Sequence, residues 1–427
     1  MKKILSIAAM ASLAVTAFAE PATEPAAEAA ATCSEAAEPA FMQATSNSGG
    51  YNNEESLFDL VTGLKTKTDK FHLYMNTQFN YDMSWSGEGG DDFNGGKFRF
   101  KQLRIEFKGN VNDWISYRYR QRFTSNAFGD FDNILKSIDI MEVGFRYKKV
   151  NFVLGKQCAA YGGIEFDLNP IEVYQYCDMI DNMDNFMTGI RAAWDITPAQ
   201  QLQFQILDGT ALNPGEMYGK NIIKAKMPFL YTVNWNGNFN NFYETRWSAS
   251  FMNEVKDKHM WYLAFGNKFN FTPRFGAWLD VMYSREGIDR KGMITNIVGQ
   301  KAPGGEAIGH NAYNTDYFTL LLHMNYFIHP KWNIFGKVAW ERNGVYEASG
   351  NKDVPGNYIA KGTYGIDWLY VGGIEYYPLK DRGLHFFLTY IGQKTSHTDK
   401  VQKLYNASKN NYTNLLTAGF IWQIPLF

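Results

Sequence analysis

Two stretches of this 427-residue chain carry fixed charge at a spacing that can act collectively. In the first, Gln102, Arg104, Glu106 and Lys108 alternate with Leu103, Ile105 and Phe107. In the second, Ser116, Arg118, Arg120 and Arg122 alternate with Ile115, Tyr117 and Tyr119. Side chains on a strand change face at every residue, so each stretch has one apolar and one charged face. The turn Gly109–Asp113 joins them as an antiparallel hairpin. A row of guanidinium groups steers anions where it lines a confined space and is merely solvated on the face of a soluble sandwich.

The other reactive residue types form no local catalytic pattern. His72, His323 and His385 fall in strand-like segments, and His259, His310, His329 and His397 in connections. None belongs to an HExxH, GxSxG or CxxC motif. Asp91-Asp92 runs into a glycine-rich flexible loop. Asp178, Asp181 and Asp184 are the one cluster with calcium-like chemistry, but no metal or cofactor is implied.

About sixteen alternating segments run from residue 71 to the C-terminus, most of them near the ten residues that a tilted strand needs to cross a bilayer. No apolar run after residue 19 approaches the length of a membrane helix, and mean hydropathy is −0.35. The connections alternate in length, with tight turns near 109–113, 148, 196–200, 236–241, 272–273, 329–331 and 378–383. Long ones lie between, among them 82–96, 124–137, 157–187, 209–227, 285–315, 342–364 and 392–414. A sandwich has no reason to segregate loop length by parity; an outer-membrane barrel does, with short turns at one end and long loops at the other. The fold expected is therefore all-β, a transmembrane antiparallel barrel of about sixteen strands over 65–427. Trp114, Trp194, Trp235, Trp332 and Tyr376-Tyr377 stand beside the short turns, as an interfacial aromatic belt in outer-membrane lipid would.

Residues 1–19 show the Lys2-Lys3, apolar core and Ala17-Phe18-Ala19 pattern of a signal peptide. Residues 20–64 form an Ala/Glu/Pro-rich periplasmic tail and lead-in with eight acids and no Lys or Arg, with a short amphipathic helix from Ser56 to Gly63. The remaining basic excess is modest and gives no nucleic-acid signature. Export to an oxidising compartment allows a Cys158–Cys177 disulfide, leaving Cys33 incidental.

The order FRFKQLRIEFKGNVNDWISYRYRQRF, EVGFRYKKVNFVLGKQCAAYGG, TGIRAAW and LQFQILDG resembles the phosphate-selective porin O/P family. The resemblance implies a sixteen-stranded, trimeric outer-membrane barrel that passes small anionic solutes, phosphate among them. It also implies a lumen lined by Arg104, Lys108, Arg118, Arg120 and Arg122, extended by Arg146 and Lys156, and a constriction formed by the loop after strand five. A ladder of fixed positive charge in a water-filled lumen lowers the barrier to anions.

That loop, 157–187, departs from the pattern. It holds no Lys or Arg, and carries Glu165, Asp167, Glu172, Asp178, Asp181 and Asp184. Folded inward, these acids would face the arginine wall as in a general diffusion porin rather than a dedicated phosphate site; folded outward, they would leave the arginines to govern. A second departure is Phe427, out of phase with Leu416, Ala418, Phe420, Trp422, Ile424 and Leu426 unless Pro425 introduces a bulge. The expected function is passive diffusion of small hydrophilic solutes, anion-leaning and not enzymatic. The alternatives are a barrel hydrolase with a His and acid paired at the rim, and an adhesion or structural barrel acting through loops 285–315 and 342–364.

Overall fold

The computed structural model describes residues 69–123, 137–210, 217–218, 225–299, 310–350, 358–379 and 383–427. The expected signal peptide, the acidic tail, its short helix and Cys33 lie outside the described residues.

Each alternating segment is a strand. In chain order these are β1 (His72–Gly87), β2 (Asp92–Asn112), β3 (Ile115–Arg122), β4 (Ile138–Tyr147), β5 (Val150–Cys158), β6 (Phe186–Thr197), β7 (Gln200–Asp208) and β8 (Phe229–Phe239). The second half adds β9 (Tyr243–Val255), β10 (Lys258–Thr272), β11 (Phe275–Ile288), β12 (Tyr313–His329), β13 (Trp332–Val345), β14 (Gly362–Tyr376), β15 (Leu384–His397) and β16 (Asn410–Pro425). Each pairs antiparallel with the next, and β1 pairs with β16, so the sheet closes into a barrel. Closure leaves no sheet edge, and within a bilayer, where water cannot satisfy a backbone N–H or C=O, only such a ring or a helix is viable.

The period-two pattern decides which face is which. Phe98, Phe100, Met141, Phe152, Ile190 and Phe204 are exposed on the outside, while Asn76, Gln78, Arg104, Glu106, Arg120 and Glu142 are buried within. At the short-turn end, Trp114, Trp194 and Trp332 are exposed, and Trp332 packs on Tyr376 with ring centroids 4.6 Å apart.

Three departures from strict alternation follow from how strands pair. Strands β1 and β2 run past their expected ends, reducing the long connection 82–96 to four residues between Gly87 and Asp92. Lys101 and Asp139 are both skipped in their ladders: Gln78 pairs with Gln102 and Phe79 with Phe100, while Arg120 pairs with Ile140 and Gln121 with Ile138. A bulged residue reverses the phase locally. Each bulge therefore brings one more charged side chain to the lumen, Lys101 beside Gln102 and Asp139 beside Ile140.

The C-terminus carries the third. The Leu73 carbonyl accepts from both Leu426 and Phe427 N–H groups, at 2.8 and 3.2 Å, so two residues oppose one just after Pro425. That turns the Phe427 ring onto Phe71 at 5.6 Å, and Phe71 in turn stacks on Phe107 of the outward row at 6.3 Å.

Candidate functional site

The connection between β5 and β6 folds into the barrel. It enters through Gly162 and Gly163, whose φ angles of 73° and 86° suit glycine, and Gly163 N–H donates to the Arg246 carbonyl of β9 at 3.0 Å. On the facing wall, Gly266 of β10 leaves the space: a Cβ there would stand 2.7 Å from the Ile164 nitrogen.

Two short helices follow, α1 (Ile164–Asp167) and α2 (Asp178–Asp181), with a 3-10 turn at Pro170–Glu172 between them. The first N–H groups of a helix have no partner inside it. Here carboxylates of the barrel wall supply it. Ile164 and Glu165 N–H donate to the two Asp280 oxygens of β11 at 2.8 and 2.9 Å. Asp178 and Met179 N–H donate to Glu341 of β13 at 2.7 and 3.0 Å.

Further ties encircle the lumen. The Lys101 ammonium donates to the Tyr174 carbonyl, and Gln102 Nε2 to the Pro170 carbonyl at 2.7 Å. The Tyr174 hydroxyl donates to Glu375 of β14 at 2.7 Å, and its ring stacks on Phe335 of β13 at 5.0 Å. Ile164, Ile171, Met179 and Ile180 are buried against the same wall.

The acids of this loop do not form an open carboxylate face opposite the arginines, which corrects the expected opposition. Glu165 pairs with Lys337 of β13 at 2.7 Å, Asp167 with Arg246 at 3.1 Å, and Asp184 with Arg290 of the β11–β12 connection at 2.6 Å. Asp181 has Lys101 and Lys337 as its cationic neighbours, and burial outweighs them, raising its carboxyl above the ordinary range. Burial, helped by nearby Glu375, pushes the Glu172 carboxyl up to about 8, so it is mostly protonated at neutral pH. Burial also lifts Asp178 to about 6, with Asp181 adding repulsion, and Asp167 to about 6 against the pull of Arg246.

The expected disulfide is absent: Cys158 and Cys177 are both free. Cys158 ends β5 among Arg118, Arg120 and Arg191, whereas Cys177 precedes α2 beside Glu341 and Lys337 on the other side of the lumen. The loop crosses the barrel between them, so its two cysteines dock on different walls.

On the β2–β4 wall the expected ladder is present but partnered. Asp139 accepts from Arg104 at 3.1 Å and lies 3.5 Å from Arg120 and 3.2 Å from Arg122; Arg118 donates to Glu106 at 2.9 Å. One carboxylate thus serves three guanidinium groups, which leaves the cluster cationic. Lys108 reaches over the Tyr74 ring at 5.6 Å. Arg146 stands at the short-turn rim, its Nε directed at the Lys148 carbonyl at 3.4 Å. Lys156 is in register with Met141 of the outward row, yet it lies within electrostatic reach of Asp139 and Arg122.

Between wall and loop lies a recess with an empty volume of about 1050 Å³. Its charged lining is Lys108, Arg118, Arg120 and Arg191 against Glu106 and Asp167, so four cations face two carboxylates; of the six loop acids only Asp167 reaches it. Sequence reasoning missed Arg191, Arg246, Lys337, Asp280 and Glu341. All lie on inward positions of later strands, where the lumen phase was the available signal. Among the described residues no group of three or more His, Cys, Asp or Glu is placed to hold a metal.

A closed sixteen-stranded antiparallel barrel with an inward constriction loop and a charged lumen is an outer-membrane porin. The phosphate-selective porin O and P family model matches residues 71–424, and the chain belongs to that family. No curated protein matches the chain by sequence. Among solved structures, the outer membrane channel DcaP of Acinetobacter baumannii is similar, with 12% identity, TM-score 0.52, and 82% of this chain and 96% of that one covered. The trimer form of in-vitro folded OmpT from Vibrio cholerae has 10% identity and TM-score 0.49 over 83% of this chain and all of that one. The anion-selective porin from Comamonas acidovorans has 9% identity and TM-score 0.49 over 83% and 99%. The chain is thus an outer-membrane channel for small solutes in a Gram-negative bacterium.

Proposed function

We propose that this porin is anion-leaning and passes small hydrophilic anions, phosphate among them, through the passage between the β2–β6 wall and the constriction loop. The observation that carries this reading is the charge of the recess, four cations to two carboxylates, with Glu165 and Asp184 of the loop held in ion pairs, Glu172 mostly protonated, and neither Asp178 nor Asp181 in its lining. In a lumen with low-dielectric walls that imbalance concentrates anions and repels cations. The mature chain begins near Glu20 after signal cleavage and assembles as a homotrimer in outer-membrane lipid, with the acidic tail in the periplasm. N-terminal sequencing and native mass spectrometry test those two statements.

Selectivity is tested by reversal potential in a planar bilayer under a salt gradient. Anion preference that falls in Arg118→Ala and Arg120→Ala supports the reading; cation preference in the unaltered protein overturns it.

A further inference from the structure

The recess is not lined by charge alone. Facing Arg118 and Arg120, the loop presents Phe166, Leu168 and Pro170, and β6 adds Phe186, over whose ring the Arg120 guanidinium lies at 5.3 Å. Leu168, Pro170 and Phe186 are only half-buried, so part of each apolar surface is turned to the lumen. For bare inorganic ions this surface has no use, and apolar area left facing water in a confined space costs free energy until something covers it. Guanidinium groups opposite apolar side chains suit a ligand with both characters, since Arg offers a fork for an oxyanion and a weakly hydrated face for a ring.

We infer that the recess is a binding station for organic anions whose carboxylate or phosphate is carried on an apolar body, such as an aryl carboxylate or aryl phosphate, in preference to inorganic anions of equal charge. The oxyanion sits on Arg118 and Arg120 and the apolar body on Leu168, Pro170 and Phe186. The inference rests on the anion-leaning reading above and goes beyond it in naming what the loop adds.

The test is current block of the wild-type channel in a planar bilayer by phenyl phosphate, inorganic phosphate and benzylammonium. Phenyl phosphate is expected to half-block at a concentration on the order of tenfold lower than phosphate, the factor supplied by removing about 60 Å² of ring from water. Phe186→Ser and Leu168→Ser should each shrink that ratio, and Phe186→Leu should keep it. Equal block by the two phosphates overturns the inference while an anion-leaning reversal potential still stands. Block by benzylammonium equal to that by phenyl phosphate also overturns it, because the arginines then play no part. A cation-leaning reversal potential instead removes the underlying reading. The wild-type comparison is decisive even if a serine variant does not fold.

Discussion

Replacing Asp280 by alanine removes the acceptor of two backbone N–H groups at the start of α1, held at 2.8 and 2.9 Å. A hydrogen bond to a charged group contributes about 1.5–3 kcal/mol, but water enters the vacated space and recovers part of it. The net loss is thus about 3 kcal/mol for the pair, or roughly two powers of ten in the local opening equilibrium. The whole loop should not leave the wall. Met179 and Ile180 stay buried, each worth about 1.5–3 kcal/mol, and Glu341 still holds α2. Hydrogen exchange on the refolded protein should therefore show peptides over 159–168 exchanging about a hundredfold faster, with those over 176–185 near their original rate. Unchanged exchange in 159–168 would mean that packing, not the carboxylate, fixes α1. Equal acceleration of both segments would mean that the loop opens as one unit, and the assignment of separate clasps would be wrong.

Asp139→Asn removes the carboxylate shared by Arg104, Arg120 and Arg122, so the reversal potential should move toward stronger anion preference; a shift the other way refutes the placement of that cluster in the pathway. Glu172 is raised from an ordinary 4.5 to about 8, so the docked loop tip favours its protonated form. Its stabilisation is complete below pH ~4.5 and is lost as pH rises toward ~8. Exchange of 169–175, corrected for intrinsic base catalysis, should accelerate across that window in the wild type and not in Glu172→Gln. Denatured, unreduced protein should alkylate at both Cys158 and Cys177, whereas a bridge would protect them. Phe427→Ala should slow insertion into lipid vesicles severalfold by removing the contact with Phe71, and an unaltered rate would deny the terminal ring that role.

The barrel was legible because its code is short-range. Alternation fixes each strand and its faces, and the parity of connection lengths fixes the two ends. The arginines of β3 and their lumen orientation followed from that alone. Asp139 escaped because a bulge reverses the phase for one residue, and the period-two rule sends it outward. Lys101 escaped for the same reason. The fate of the loop acids depended on cations far along the chain: Arg246 pairs with Asp167, Arg290 lies 106 residues from Asp184 and Lys337 lies 172 from Glu165, and no local pattern encodes such pairings. The Gly162-Gly163 pair was the one local signal, since two left-handed positions in succession mark a backbone that must press against something.

Those distant partners reverse what an acidic loop implies. Read along the chain, six carboxylates and no cation in one loop suggest a negative eyelet wall. In three dimensions three of them meet single cations at 3.1 Å or less, and a fourth keeps its proton at neutral pH. A carboxylate in an ion pair this close contributes mainly a dipole to the passage, and its field falls off much faster than that of a lone charge. The wall differs because its stoichiometry is unequal: one Asp139 among three arginines cannot cancel them. Selectivity then follows from unmatched charge rather than from composition. If the recess binds organic anions as inferred, altering Leu168 or Phe186 should change which anions bind more than whether anions are preferred.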